Sequence, residues 1–185
     1  MSNLAKVLEK LIHVRVINFL NKFNVLSKFQ FGFRPQIGTN DALAHVSDLL
    51  YKKLNKSSPT IGVFLDLTKA FDMVNFDILL SKLELYGIRG IALKLFKNYL
   101  YNRTQYVKID GIRSKPRHPS TGVPQGTVLG PLLFLLYMND IFDILPENHL
   151  IIYADDTIRL CSNILGILLS YMSINFCLKY IVRCI

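Results

Sequence analysis

Residues 150–161 read LIIYADDTIRLC: a short apolar run, an adjacent pair of acids, and a second run in which polar and apolar residues mix. The pattern predicts two short strands about a tight turn, with Asp155 and Asp156 at the turn. Neighbouring carboxylates repel each other, so a folded chain holds them most readily where water or a cation neutralises them. Which of the two applies depends on what else reaches that end of the sheet.

Residues 60–67, TIGVFLDL, form another β-rich run, and it stops at Asp66. If the two runs are neighbours in one sheet, Asp66, Asp155 and Asp156 converge from distant parts of the chain. Such a cluster suits two Mg²⁺ ions about 4 Å apart, because hard cations take oxygen ligands and a shared carboxylate bridges them. One ion would then activate a 3′-hydroxyl and the other would hold a triphosphate. The competing reading is that acids at strand ends are ordinary, solvated turn formers.

Around these runs the periodicity is mainly helical. Leu4, Val7, Leu8, Leu11, Ile12 and Leu20 recur at helical spacing with Lys6, Lys10 and Arg15 between them, predicting an amphipathic helix that ends near Asn24. FQFGFRPQIGTN is turn chemistry, and Thr39 or Asn40 is placed to cap a helix through Leu54. NFDILLSKLELYG, closed by Gly87, and IALKLFKNYLYN predict two more helices. TQYVKI, residues 104–109, reads as a strand running into a turn at Asp110-Gly111. STGVPQGTVLG is too rich in Gly and Pro for regular structure, whereas PLLFLLYMNDIFDIL behind it predicts one long apolar helix with Pro131 in its first turn. A last helix is expected from Asn163 onward.

The 185 residues suffice for one domain with a core, and 51% hydrophobic content with positive mean hydropathy excludes intrinsic disorder. Lys and Arg outnumber Asp and Glu 22 to 13, a net charge of +9 that points to a polyanionic partner. Only Arg159, Lys179 and Arg183 of these bases lie beyond Arg117. Residues 103–117 carry Arg103, Lys108, Arg113, Lys115 and Arg117 against Asp110 alone, either a solvated loop or a phosphate-tracking one. Cys161, Cys177 and Cys184 make no CxxC pair, which excludes a zinc knuckle and a disulfide framework and fits a reducing, intracellular setting, nuclear or cytoplasmic. The start MSNLAKVLEKLIHV lacks the features of a secretory signal. Residues 164–178 are apolar but shorter than the roughly 20 residues of a membrane span, so a buried helix is expected there and no membrane partner.

LDLTKAFDMV around Asp66, then TGVPQGTVLGPLLFLLYMNDI, then YADDT stand in this order, with QFGFRPQIGTNDAL upstream. Together they resemble the reverse transcriptase domain of non-LTR (LINE-type) retrotransposons. The resemblance implies an α/β (α+β) right-hand fold of fingers and palm, with a small antiparallel palm sheet packed on helices. It implies a single domain, residues 1–58 mainly fingers and 59–185 mainly palm, with the thumb missing and no endonuclease segment. Asp66, Asp155 and Asp156 then correspond to the catalytic, metal-holding acids, and Leu67 offers its carbonyl to the nucleotide-side ion. Lys69 and Ala70 would present backbone N–H groups to the triphosphate, and Phe71 would lie under the incoming sugar and reject a 2′-hydroxyl, unless it is a core Phe. Gln125 and Gly126 match the PQG turn beside the nucleotide, while Asp72 reads as structural. Arg34, Arg103, Lys108 and Arg113 are nucleic-acid contacts or structural bases.

The implied cofactor is a pair of Mg²⁺ ions, with Mn²⁺ as a substitute. The implied partners are an RNA template, a DNA primer and deoxynucleoside triphosphates. The implied reaction is RNA-directed DNA synthesis. Two alternatives remain open from the sequence: a truncated remnant that binds RNA without catalysis, and a membrane-associated protein using residues 164–185.

Overall fold

The computed structural model describes residues 3–56, 59–144 and 150–161. The helix expected from Asn163 and the apolar run at 164–178 lie outside the described residues.

Helices form where the periodicity predicts them. The amphipathic N-terminal segment is α1, Asn3–Lys22, and the next helix is α2, Thr39–Leu54. Its N-cap is Gly38 rather than Thr39 or Asn40: the Gly38 N–H donates to the Asp41 carboxylate at 2.7 Å, so the reaching acid replaces a capping hydroxyl. α3, Phe76–Leu85, opens with the Asn75 side chain accepting from the Ile78 N–H at 3.0 Å and closes at Gly87, whose φ of +94° takes the left-handed cap conformation. α4 spans Gly90–Tyr101.

The greasy segment after the Gly- and Pro-rich stretch divides into α5, Leu129–Met138, and a short α6, Ile141–Ile144. One uninterrupted helix was expected there. The break falls at Asn139-Asp140, where the Asn139 side chain donates to the Val25 carbonyl and accepts from the Ser27 N–H, tying the end of α5 to the loop after α1.

The main sheet has three antiparallel strands in the order β1-β5-β4: β1 Ile61–Leu65, β4 Leu150–Tyr153 and β5 Asp156–Cys161. A separate hairpin pairs β2, Lys108–Ile109, with β3, Ile112–Arg113, through Asp110 and Gly111, both at positive φ as a type I′ turn requires. β2 is shorter than the expected strand, because at Val107 the N–H turns to the Ser114 hydroxyl and the regular ladder ends.

The sheet lies between two helical layers. On one face Leu150 and Ile152 join the main core with α5, whose residues 132–138 are all buried, as suits a helix apolar on every side. On the other face Ile151 and Tyr153 pack with Phe31 and with Ala42, Val46 and Leu49 of α2.

α5 is fixed at its start from outside. Glu9, a buried residue of α1, accepts from the Val128 N–H at 2.7 Å and the Leu129 N–H at 3.3 Å, and its other oxygen accepts from the Tyr99 hydroxyl at 3.1 Å. A carboxylate there satisfies orphan amides and faces the positive end of the helix dipole.

Candidate active site

The register brings the acids to one end of the sheet. Leu65 pairs with Thr157, so one step further along the same antiparallel ladder Asp66 comes opposite Asp156. Tyr153 pairs with Asp156 across the hairpin, leaving Ala154 and Asp155 as a two-residue loop. Ala154 has φ of +60° and Asp155 does not share the positive sign, the signature of a type II′ turn.

This turn is braced by the loop after α1. The Phe31 N–H donates to the Ile152 carbonyl at 2.8 Å, and the Ile152 N–H donates to Phe29 at 3.0 Å, so Gln30 runs parallel to β4. The buried Gln30 side chain folds back to accept from the Gly32 N–H at 2.9 Å. Gly32 then presses on the turn so closely that an added Cβ would meet the Ala154 nitrogen at 2.1 Å. Arg34 secures the loop by donating to the Ser27 carbonyl at 2.9 Å, and burial lowers its pKa from the ordinary value.

Between Asp66 and α3 the chain makes a tight turn in which Lys69 has φ of +53° and its carbonyl accepts from the Asp72 and Met73 N–H groups. Ala70 is buried under this turn. Phe71 stacks on Phe134 of α5, centroids 4.3 Å apart, and meets Phe33 edge-on at 5.9 Å. Phe71 is half-buried.

The PQG segment lies against the same turn. The Val123 N–H donates to the Phe71 carbonyl and the Gly122 N–H to Val74, while the Gln125 amide donates to the Asp72 carboxylate at 2.9 Å. Gly122 sits at φ of +86° with Asp72 backbone 2.9 Å from where a Cβ would be. Gly126 is exposed at φ of +70° with open space beside it. Asp72, Gln125, Arg117 and His118 line a polar cleft of about 770 Å³ on this side.

The basic candidates are scattered in role. Arg103 donates to the Leu100 and Gly122 carbonyls and lies over the Phe76 ring, which makes it a strut under the PQG segment. Lys108 and Arg113 face each other across the exposed hairpin, with the Arg113 guanidinium over Tyr106. Sequence reasoning overlooked Gly32, Gln30, Phe33 and Phe134 as supports. A Gly between two aromatics in QFGF was the available signal, since such a Gly often marks a close backbone approach.

Asp66, Asp155 and Asp156 are of the oxygen-donor type that a hard divalent cation takes, and the register sets them at the ends of strands about 4.8 Å apart. The side chains themselves are not drawn together. Among the described residues no group of three or more His, Cys, Asp or Glu forms a cluster able to hold a metal ion.

A small antiparallel sheet with acids at one end, a fully buried helix on one face and a glycine loop against the acidic turn is the fingers-and-palm fold of a reverse transcriptase. The chain belongs to the reverse transcriptase (RNA-dependent DNA polymerase) family, whose model matches residues 1–176. The RNA-directed DNA polymerase from mobile element jockey of Drosophila melanogaster is 35% identical over 162 residues, 84% of this chain and 18% of that protein. The probable RNA-directed DNA polymerase from transposon X-element of the same fly is 31% identical over 158 residues, 83% of this chain and 17% of that protein. The chain thus spans less than a fifth of these relatives' length. In fold it is similar to apo telomerase from Candida tropicalis truncated from its C-terminal domain, with TM-score 0.66 and 18% identity over 92% of this chain and 37% of that one. The resemblance to non-LTR elements read from the four motifs is therefore borne out. Membership of this family implies divalent-metal chemistry in general terms. No helix among the described residues is long and apolar enough to cross a membrane.

Proposed function

We propose that this chain is the fingers and palm of an RNA-directed DNA polymerase, extending a DNA primer along an RNA template by nucleotidyl transfer from deoxynucleoside triphosphates. The observation that carries the reading is the register that sets Asp66 opposite Asp156 with Asp155 in the adjoining turn. Bound divalent cations, Mg²⁺ or Mn²⁺, would supply activation of the primer 3′-hydroxyl and neutralisation of the triphosphate. Asp66, Asp155 and Asp156 hold the charge of those ions, and the carbonyl of Leu67 completes the oxygen set. Lys69 and Ala70 offer backbone amides to phosphate, Phe71 sets the space left for the sugar, and Gln125 with Gly126 borders the base. Residues 1–58 then supply mainly fingers and the remainder mainly palm.

The test is primer extension on an RNA template with Mg²⁺, comparing the chain with Asp155→Asn. Extension by the parent and its loss in the variant support the reading. Equal extension by both removes the role of Asp155. Extension by neither, together with salt-sensitive RNA binding indifferent to Mg²⁺, assigns the chain to the non-catalytic RNA binders.

A further inference from the structure

α1 is apolar on two faces, and among the described residues only one of them packs into a core. Ile12, Val16, Ile17 and Leu20 turn into the main core with Glu9. On the opposite side Leu4, Val7, Leu8, Leu11 and Val14 are each between 55% and 83% exposed. Leu4, Val7, Leu11, Val14 and Asn18 succeed one another at alternating intervals of three and four residues, the spacing of a coiled-coil seam rather than of a broad buried face. Asn18 falls where a single polar seam residue fixes register in paired helices.

The flanks of the seam are basic. Lys10 and Arg15 border it on its two sides, Lys22 extends it, and the one acid of the helix, Glu9, is buried and engaged with Val128, Leu129 and Tyr99. Two copies of α1 laid seam to seam would set Lys10 against Arg15 in parallel, or base against base in antiparallel, and like charges at these positions oppose pairing. A helix with acidic flanks meets both requirements.

We propose that the outward face of α1 is a docking site for an amphipathic helix of another protein, one whose apolar seam is bordered by Asp and Glu. Its apolar residues cover the seam, and its carboxylates pair with Lys10 and Arg15. The surface lies on the side of α1 turned away from the core and works independently of the polymerase reading.

The experiment uses two labelled helical peptides with Leu and Val at the seam positions, one with Glu on the flanks and the other with Lys, titrated with the chain and followed by fluorescence anisotropy. The Glu peptide is expected to bind saturably and to weaken with salt, while the Lys peptide does not bind. Leu11→Lys should weaken binding about tenfold or more, the loss expected when a seam leucine is removed. Should that variant misfold by circular dichroism, the surface pair Lys10→Glu with Arg15→Glu carries the test by shifting preference to the Lys peptide. Equal binding of both peptides, or of neither, overturns the proposal. So does self-association of the chain in sedimentation that Leu11→Lys abolishes, which assigns the seam to a second copy. Flotation with phosphatidylserine vesicles without binding of the Glu peptide overturns it in favour of a lipid surface.

Discussion

Gly32 has no room for a side chain: the Ala154 nitrogen stands 2.1 Å from where a Cβ would be built. Gly32→Ala must displace either the loop or the acidic turn, so a destabilisation of roughly 1–3 kcal/mol is expected from overpacking, read by urea unfolding. Primer extension should fall further than stability alone accounts for, because the turn that moves carries Asp155. Tyr99 offers a different residue-scale test. Burial, together with its hydrogen bond to Glu9, pushes its phenol up to about 12 from the ordinary 10. A raised phenol favours the protonated form in the folded state, so its contribution is complete below pH 10 and is lost as pH rises from 10 towards 12. Tyrosinate absorbance should therefore appear late for this residue, and Tyr99→Phe should make the alkaline loss of stability less steep.

At the scale of elements, α5 depends on an acid supplied by α1. Glu9→Ala leaves the Val128 and Leu129 amides without their acceptor in a buried place, a cost of about 1–3 kcal/mol visible as a lower melting temperature. Leu133→Ala, within the fully buried stretch of α5, is expected to cost roughly 2–5 kcal/mol by the same measurement. Helices were legible in the sequence because their periodicity is local, down to Gly87 at the end of α3. Two departures have causes that sequence spacing does not display. Asn139 ends α5 because its partners, Val25 and Ser27, come from a loop more than a hundred residues away. The strand expected over 104–109 shrinks to two residues where the Val107 N–H turns to the Ser114 hydroxyl, and Tyr106, Val107 and Ile109 remain exposed.

At the scale of the whole molecule, the sheet sits between α2 and α5, and the buried side is far better packed than the hairpin of β2 and β3. Hydrogen exchange should be slowest at the amides of residues 132–138 and fast throughout 104–118. Exchange that is uniform across both regions would contradict this layering. The three acids were legible as a candidate site because each closes a β-rich run and because four ordered motifs frame them. Their supports were not, since Gln30, Gly32 and Phe134 act through contacts that no spacing rule predicts. Asp72 reads as structural from its place before a helix, and its carboxylate accepts from the Gln125 amide at the rim of the polar cleft.

The loop after α1 and the hairpin of β4 and β5 are thus two halves of one object, even though 122 positions separate Gly32 from Ala154 in numbering (154 − 32). Anyone grafting the acidic turn into a foreign scaffold would have to transplant QFGF along with it. A graft of YADD alone would arrive without the wedge that sets its shape.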